Sequence, residues 1–357
     1  MKLALQVAES VKGQTSPNPP VGAVIVKDGV IRGIGAHLQA GEDHAEIAAM
    51  KMAGAHCEGA TIYLTLEPCS HVGKTKPCAD AIIAQKFKRV VVAVEDPNEK
   101  VAGKGIAKLK DAGIDVTLGV LEEEARILYD VFFHYITSKT PFITLKSAVS
   151  LDGKTATKTG ESKWITGEDA RKDVHHYRHT HDAILVGVNT VLQDDPLLTT
   201  RIKGGKHPTR IILDSHLRTP LEANVVQNDD TKTIIFVGRG VEDEKIALYE
   251  KLSHVSIISL ETDSLSIRSI VGILGKLDIA SLFVEGGATV NDAFLQAGLI
   301  NQYIIYLAPK LIGGKDAPTA ITGEGFAHMT DIFELEISHV EKIGEDVKII
   351  ATKKGAK

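Results

Sequence analysis

Short apolar runs alternate with longer amphipathic runs along the whole chain, and this alternation constrains the fold more than any other sequence feature. Runs such as GAVIV and RVVVAV, which are rich in β-branched residues, are typical of buried strands. The segments between them have the apolar spacing of helices. Strands that alternate with helices predict an α/β fold in which helices cover the faces of a sheet.

In the first 137 residues the predicted elements follow one another with short connections. A helix over 2–12 precedes two strands, at 22–26 and 30–35, and the Asp28–Gly29 pair between them is a hairpin signal. The other elements predicted here are a helix at 44–55, a strand at 61–66, a helix after Pro77, a strand at 89–94, a helix near 102–112, a strand at 114–118 and a helix at 122–136.

The segment TSKTP at 137–141 ends this series, because Pro141 cannot continue a helix. A chain of 357 residues is long for one domain. We therefore predict two α/β domains, at 1–138 and 141–357. The strands predicted in the second domain are 142–150, 183–188, 209–215, 233–238, 255–260, 281–287 and 302–309, with a final pair near 332–352.

Composition excludes several classes of protein. A net charge of −5 argues against a nucleic-acid-binding protein, which is usually basic. Three cysteines in so long a chain do not suggest a disulfide framework, and they favour the reducing cytoplasm. The start MKLALQVAES lacks the features of a signal peptide, and no apolar run approaches the roughly 18 residues of a membrane span.

The first domain contains a set of residues that suits a catalytic metal. His44, Cys69 and Cys78 are suitable zinc ligands, and three protein ligands plus water are typical of a catalytic zinc, whereas a structural zinc has four. Glu46 then remains available to take a proton from that water. Cys57 has no partner in this pattern, and we interpret it as structural.

The metal-ligating residues are predicted at the N termini of helices. Asp43 is placed to cap the helix that carries His44 and Glu46. Pro77 suits the first position of a helix that begins beside Cys78. Helix N termini favour thiolates, the form of cysteine that binds metal. Each feature alone has an ordinary explanation as a capped helix or a buried thiol, and the order HAE, PC, PC indicates zinc.

The stretches HAE and EPCSHVGKTKPC resemble the zinc nucleobase deaminases, in which a glutamate shuttles protons to the leaving ammonia. Eight residues separate the cysteines, against two in the usual signature, and this longer spacing resembles the deaminase half of the bifunctional riboflavin-biosynthesis enzymes. The resemblance implies a cytidine-deaminase-like three-layer α/β/α fold, one Zn²⁺ ion and a phosphorylated pyrimidine as substrate. The substrate contacts that it implies are Asn18, His37, His71, Lys74, Asp96 and Asn98.

Elementary chemistry agrees with some of these contacts. The Asn18 amide can donate and accept at a pyrimidine edge, and His71 and Lys74 can meet a phosphate. Taken singly, the same residues are ordinary exposed loop and turn residues.

The second domain lacks a G-x-G-x-x-G motif after a strand, so the sequence does not favour a Rossmann site. The stretch SLFVEGGATVNDAFLQAGL at 281–299 places Gly286 and Gly287 between a strand and a helix, where backbone N–H groups can hold a phosphate. A Gly–Gly pair alone is more often only a turn.

Six stretches of the second domain, LKSAVSLDGKTAT, GESKWIT, ILVGVNTVLQDDPLLTTR, RIILDS, VEGG and APKLIGG, follow one another as in the reductase half of the same enzymes. The resemblance implies a dihydrofolate-reductase-like α/β fold and NADPH-dependent reduction of a ribosyl group to ribityl. The cofactor contacts that it implies are Ala148, Trp164, Thr190, Asp194, Ser215, Gly287, Ala288, Thr289, Val290, Asn291, Asp292 and Ala293. The substrate contacts that it implies are Lys146, Ser162, Arg178, Leu198, Arg201 and Glu285.

Several of these residues have competing interpretations. Trp164, the only tryptophan, suits core packing and cofactor contact equally well. Arg178 and Arg201 suit the sugar phosphate, because a guanidinium matches phosphate geometry. Lys146 and Glu285 are both candidates for the proton donor.

The stretch HHYRHTH at 175–181 places His175 and His179 one helical turn apart, as in some zinc sites, but no third ligand follows at a matching spacing. We expect an exposed helix face there.

Two other functions remain open at this point. One is a deaminase of RNA with a nucleic-acid-binding second half, which the cysteine spacing and the net charge oppose. The other is a regulatory protein with a structural zinc, for which Glu46 would be dispensable. The resemblance itself implies a homo-oligomer that acts on small molecules, with no nucleic-acid or membrane partner.

Overall fold

The computed structural model describes residues 1–70, 77–99 and 101–355. The chain divides into two compact units, Met1–Lys139 and Thr140–Lys357, each with its own β-sheet. In the described residues, no helix combines the length and the apolar character that a membrane crossing requires.

The N-terminal unit is built on a five-stranded sheet. Its strands are β1 Gly22–Lys27, β2 Val30–Ala36, β3 Thr61–Leu66, β4 Arg89–Val94 and β5 Asp115–Leu118, in the order β2-β1-β3-β4-β5. Its helices are α1 Lys2–Glu9, α2 Ala45–Ala53, α3 Cys78–Ala84, α4 Lys104–Asp111, α5 Glu122–Leu128 and α6 Asp130–Ser138, with a 3₁₀ turn at Gly54–Cys57. Strand β1 is antiparallel to β2 and β3, whereas β3, β4 and β5 are parallel.

Local sequence signals predict most of this unit, with three exceptions. The hairpin is confirmed, since Asp28 and Gly29 have φ of 52° and 75°, as a tight two-residue turn requires. The single helix expected at 122–136 is wrong, because the chain leaves helical geometry at Tyr129. The buried Tyr129 hydroxyl lies 2.5 Å from Thr65 Oγ1, so a tertiary contact accompanies the break.

The expected cap of α2 is also wrong. The N-cap residue is His44, which makes no side-chain cap hydrogen bond. Asp43 instead forms an ion pair with Lys51 on the exposed side of the helix. Pro77 is the N-cap of α3 rather than its first residue, so the helix begins at Cys78 itself.

The C-terminal unit is built on a nine-stranded sheet in the order β10-β9-β8-β7-β11-β6-β12-β14-β13. Its strands are β6 Phe142–Ser150, β7 Ala183–Gly187, β8 Thr209–Leu213, β9 Thr233–Val237, β10 Val255–Ser259, β11 Ser281–Val284, β12 Gln302–Ala308, β13 Leu335–Ile343 and β14 Asp346–Lys353. Its helices are α7 Glu168–Thr180, α8 Val188–Asp194, α9 Asn224–Gln227, α10 Asp243–Tyr249, α11 Ile267–Lys276 and α12 Ala288–Ala297.

Strands β6 to β12 are parallel, and the β13–β14 hairpin extends the sheet antiparallel at one end. Successive residues of the central strands enter different apolar clusters: Leu185 joins one, and Ile184 and Val186 join the other. Both faces of the sheet are therefore covered, which explains the unbroken apolar runs in the sequence. The carboxyl ends of these parallel strands meet at one edge, where ligand sites of α/β folds usually lie.

The histidine-rich stretch is not the exposed helix face that the sequence suggests. His181, which follows α7, is buried, and its Nε2 lies 2.9 Å from Thr144 Oγ1 on β6. His175 and His179 are partly buried. Packing of α7 against the sheet is the physical reason, since Tyr177 stacks on Phe283 of β11.

Candidate active sites

Three side chains of the N-terminal unit converge beyond the end of β3. His44 precedes α2, Cys69 follows β3, and Cys78 is the first residue of α3. A glycine on β2 makes this convergence possible. A Cβ on Gly35 would lie 2.2 Å from the Ala45 carbonyl oxygen, so only glycine lets the start of α2 approach the sheet so closely.

The ligand atoms have the spacing of a tetrahedral metal site. His44 Nδ1 lies 3.7 Å from Cys69 Sγ and 3.2 Å from Cys78 Sγ, and all three atoms lie within 4.8 Å of one another. Zinc bonds of about 2.3 Å to sulfur and about 2.0 Å to nitrogen, at tetrahedral angles, place N and S about 3.5 Å apart. Within residues 1–70, 77–99 and 101–355, no fourth His, Cys, Asp or Glu joins the group. The group therefore suits a catalytic zinc with an open position.

The Cys69 and Cys78 thiols lie close enough to alter each other's ionisation. A hydrogen bond from the Cys78 thiol holds the pKa of Cys69 at about 4, with His44 contributing further. The same hydrogen bond, followed by burial, raises the pKa of Cys78. Zinc binds cysteine as thiolate, and its charge is what allows two neighbouring thiols to ionise together. The donor set therefore fits this ion.

Glu46 lies in the first turn of α2, and its side chain is buried beside the three ligands. Burial raises the pKa of its carboxyl, and the negative charge of Cys69 raises it further. A carboxyl with a raised pKa is a better proton carrier than an exposed glutamate, because its protonated form is more accessible.

Asn18 and His37 adjoin the metal group. The His37 ring lies 5.4 Å from the His44 ring, edge to face. His37 Nδ1 lies 3.1 Å from the Asp43 carbonyl oxygen, which can only accept, so Nδ1 carries the proton. His37 Nε2 is then the acceptor for Asn18 Nδ2 at 3.1 Å. This orientation leaves the side-chain Oδ1 of Asn18 for a ligand.

The other predicted substrate contacts of this unit lie on two loops. Asp96 is buried after β4, and its Oδ1 accepts a hydrogen bond from the Asn98 backbone N–H at 2.8 Å. His71 and Lys74 lie outside the described residues.

The C-terminal unit contains a cavity of about 620 Å³, a usual size for a small-molecule site. The predicted substrate contacts Lys146, Ser162, Arg178, Leu198, Arg201 and Glu285 all line it. The predicted cofactor contacts that line it are Ala148, Trp164, Thr190, Asp194, Gly287, Ala288 and Asn291. The predicted cofactor contacts that do not line it are Ser215, Thr289, Val290, Asp292 and Ala293.

Sequence reasoning missed part of the lining. The additional residues are Ser147, Thr155, Lys163, Val186, Asp195, Pro196, Leu197, Thr199, Asn224 and Ala320; Gly286 also lines the cavity, and the sequence indicates it as part of the Gly–Gly turn. Asp195 to Thr199 lie within the motif ILVGVNTVLQDDPLLTTR, so that motif could have indicated them. Thr155 lies within the motif LKSAVSLDGKTAT, whereas Asn224 and Ala320 come from segments with no local signal, and only the fold brings these two to the cavity.

Glu285 forms two ion pairs inside the cavity. Its Oε2 lies 3.1 Å from Lys146 Nζ, and its Oε1 lies 2.7 Å from Arg178 Nε. Burial opposes ionisation of Glu285, but the charges of Arg178 and Lys146 outweigh it and hold the pKa at about 2. Glu285 is therefore a carboxylate at neutral pH. Arg178 also donates from Nη1 to the Thr199 carbonyl oxygen at 3.2 Å.

The Gly–Gly turn opens α12 at the cavity wall. A Cβ on Gly286 would lie 2.5 Å from Val290 Cγ1, so the turn requires glycine there. Gly287 is the N-cap and provides no side-chain cap, so the first N–H groups of α12 have no side-chain acceptor from that residue. Such a helix start can accept a phosphate.

Trp164 is not a core residue. Its side chain is 63 % exposed, and it lies at the cavity with the guanidinium carbon of Arg171 4.6 Å from its ring centre. Its exposure argues against the core-packing interpretation, and contact with the cofactor stays a prediction.

Comparison with known proteins agrees with this two-part organisation. The zinc-binding region of cytidine and deoxycytidylate deaminases matches residues 1–94, and the RibD C-terminal domain matches residues 141–349. The riboflavin biosynthesis protein RibD of Bacillus amyloliquefaciens is 48% identical over 358 residues, which cover 100% of this chain and 96% of that protein. RibD of Escherichia coli K12 is 41% identical, over 97% of this chain and 96% of that protein.

Solved structures give the same result. Form 1 of Acinetobacter baumannii RibD superimposes with a TM-score of 0.87 at 38% identity, covering 99% of this chain and 97% of that chain. A diaminohydroxyphosphoribosylaminopyrimidine deaminase/5-amino-6-(5-phosphoribosylamino)uracil reductase from Thermotoga maritima gives 0.88 at 36% identity, with coverage of 99% and 97%. The chain belongs to the RibD family of riboflavin biosynthesis proteins, and it is therefore an enzyme that joins a zinc-binding deaminase to an NADPH-dependent reductase.

Proposed function

We propose that this protein performs two successive reactions on one phosphorylated pyrimidine. The N-terminal unit hydrolyses an amino group of diaminohydroxyphosphoribosylaminopyrimidine, and the C-terminal unit reduces the ribosyl group of the resulting uracil to ribityl. The observation that supports this is the presence in one chain of the His44–Cys69–Cys78 group and of a cavity that contains Lys146 and Glu285.

In the deaminase site, His44, Cys69 and Cys78 would hold the zinc ion. When bound, zinc makes a water molecule nucleophilic at neutral pH. Glu46 takes up a proton at its carboxylate and transfers it to the leaving amine, and its burial favours the protonated state that this transfer needs. Asn18, oriented by His37, accepts a hydrogen bond from the pyrimidine edge.

In the reductase site, the cavity residues would hold NADPH, which would supply the hydride for reduction of the ring-opened ribosyl group. Lys146 gives the proton to the imine nitrogen, because Glu285 with a pKa of about 2 has no proton to give. Glu285 holds the Lys146 ammonium in position. The structure thus favours one of the two proton donors that the sequence leaves open.

The two arginines have different roles in this proposal. Arg178 is bound to Glu285 and to the Thr199 carbonyl oxygen, whereas Arg201 is exposed at the cavity. We assign the substrate phosphate chiefly to Arg201. Burial, then the charges of Arg178 and Arg201, lower the pKa of His175 to about 4, in agreement with a positive potential on this side of the cavity.

The same proposal includes a homo-oligomer in the cytoplasm. Strand β13 is an edge strand of the sheet and exposes Ile337 and Val340, which another copy could cover. Cys69 and Cys78 are assigned to the metal as thiolates, a form that a reducing compartment preserves. Size-exclusion chromatography with light scattering tests the oligomer, and a mass equal to one chain would contradict it.

A coupled assay tests the two reactions together. Zinc-loaded protein is incubated with the phosphorylated diaminopyrimidine and NADPH, and ammonia and NADPH are measured. We expect ammonia release first, then NADPH oxidation in equal amount, with little dependence on salt. Ammonia release from RNA and not from the free pyrimidine, with a steep salt dependence, would favour the nucleic-acid deaminase instead.

A further inference from the structure

We infer that Glu67 is a positioning residue of the deaminase site, which holds the loop of Asp96 and Asn98 beside the metal ligand Cys69. The inference rests on the deaminase function proposed above. It concerns a side chain that belongs neither to the three metal ligands nor to the predicted substrate contacts.

Glu67 directly follows β3, and its side chain is only 4 % exposed. Its Oε2 accepts hydrogen bonds from the backbone N–H groups of Asp96 at 3.3 Å and Gly103 at 2.9 Å. Its Oε1 accepts from those of Gly105 at 2.9 Å and Ile106 at 3.1 Å. One carboxylate therefore joins the two ends of the segment 96–106 to the end of β3.

The negative charge of Glu67 is compensated by backbone groups rather than by a side chain. None of the ion pairs in the described part of the chain includes Glu67. Gly103, the N-cap of α4, has no side chain to satisfy the first turn of that helix. The Glu67 carboxylate accepts the hydrogen bonds that a side-chain cap would otherwise accept, and it lies at the positive end of the helix dipole. A charged acceptor of this kind makes strong hydrogen bonds to N–H groups.

The start of α4 also packs directly on the peptide before Cys69. A Cβ on Gly105 would lie 2.1 Å from the Pro68 carbonyl oxygen and 3.1 Å from Glu67 Oε1. Only glycine permits this approach. Because Pro68 is the neighbour of Cys69, the start of α4 lies against the peptide that leads into a metal ligand.

The loop held by Glu67 carries two predicted substrate contacts. The hydrogen bond from the Asp96 N–H to Glu67 Oε2 fixes the backbone of Asp96. Asp96 Oδ1 in turn accepts a hydrogen bond from the Asn98 N–H at 2.8 Å. A continuous set of contacts thus runs from Cys69 through Glu67 to Asn98. Loss of the carboxylate should shift the substrate loop and leave the ligand atoms in place.

Glu67→Gln tests whether the carboxylate holds the substrate loop, because an amide nitrogen then faces two N–H donors. In zinc-loaded full-length protein we expect normal zinc content and a KM for the pyrimidine raised on the order of tenfold, with a smaller change in kcat. NADPH oxidation with the deaminated pyrimidine should not change. Glu95→Gln is the matched control, since Glu95 is an exposed glutamate on the same loop, and it should leave KM unchanged.

A double-mutant cycle with Asp96→Ala separates positioning from general support of the fold. If Glu67 acts through Asp96, then Glu67→Gln raises KM by less than about twofold in the Asp96→Ala background. If each substitution raises KM by its own factor and the two factors multiply in the double variant, the inference is wrong. A normal KM, or loss of zinc, in folded Glu67→Gln protein would also overturn it.

Glu67→Asp covers the case in which Glu67→Gln does not fold. Its carboxylate keeps the charge but is one methylene too short to reach both pairs of N–H groups, so KM should still rise. If neither variant folds, Glu67 is a requirement of the fold and the inference is wrong. Absence of ammonia release from the unchanged protein would instead count against the deaminase function itself.

Discussion

Lys146 Nζ lies 3.1 Å from Glu285 Oε2 within the reductase cavity, where the two side chains are 16 % and 10 % exposed. A buried pair of this kind is held at fixed geometry, and removing one partner leaves an uncompensated charge. Arg178 binds the other oxygen of Glu285 at 2.7 Å, so the carboxylate keeps one cationic partner when Lys146 is replaced. The proton chemistry of the cavity can therefore be tested at Lys146 alone.

Lys146→Met should lower NADPH oxidation by about two to four orders of magnitude, the usual contribution of a proton donor. Ammonia release should remain normal, because that site lies in the other unit. Lys163→Met is a suitable control, since Lys163 also lines the cavity but is largely exposed. Equal losses in both variants, measured with the deaminated pyrimidine, would show that charge in the cavity matters and proton donation does not.

Glu285 should also give the reductase unit a defined dependence of stability on pH. Its pKa is lowered from 4.5 to about 2 in the folded protein, so its stabilisation is complete above about pH 4.5 and is lost as the pH falls toward 2. The shift of about two units corresponds to about 3 kcal/mol. Denaturant unfolding should give a higher free energy of unfolding for the unchanged protein than for Glu285→Gln at pH 7, and this difference should become smaller toward pH 3. A difference in free energy of unfolding that does not change with pH would contradict the ion-pair explanation.

Glu46→Gln should abolish ammonia release while zinc content stays normal. The amide keeps the shape of the buried side chain but cannot carry the proton, so we expect a loss of about two to four orders of magnitude. NADPH oxidation with the deaminated pyrimidine should persist. Glu42→Gln, an exposed residue just before the helix, is the control. If both reactions disappeared in a folded, zinc-loaded variant, the two sites would not be independent.

Cysteine variants test the metal group directly. Cys78→Ser should lose most of its bound zinc, because Cys78 Sγ lies 3.2 Å from His44 Nδ1 in the ligand group. Cys57→Ala should keep it, since Cys57 is buried in the apolar core and makes no contact with that group. Metal analysis of the purified proteins decides between them. Full zinc content in Cys78→Ser would remove Cys78 from the ligand set.

The elements and the metal ligands could be predicted because their signals are local. The apolar run RVVVAV forms strand β4. His44, Cys69 and Cys78 lie at the ends of helices and strands that the sequence pattern predicts. The break at Tyr129 could not be predicted, because the helical pattern continues through it and the contact with Thr65 is made across the fold.

In the reductase cavity too, some contacts could be predicted from the sequence and others could not. Lys146 and Glu285 lie on or beside strands that pair in parallel, so their approach follows from the topology once it is known. Ser215 has an equally good motif, RIILDS, but it does not line the cavity. A motif gives the residue type and the element, whereas the packing of segments that are distant in sequence decides what the side chain meets.

Trp164 should report cofactor binding, because it is the only tryptophan of the chain and lies exposed at the cavity. A nicotinamide or adenine ring that covers its indole would change its fluorescence, and stacking of this kind contributes about 1 kcal/mol. NADPH titration should therefore quench the emission, and Trp164→Phe should raise the KM for NADPH by only a few-fold, because phenylalanine can still stack. Trp164→Ala should raise it further. Addition of NADPH to free tryptophan corrects for light that the cofactor absorbs. Emission that stays constant at concentrations of NADPH that saturate the reductase would place the cofactor away from this side chain.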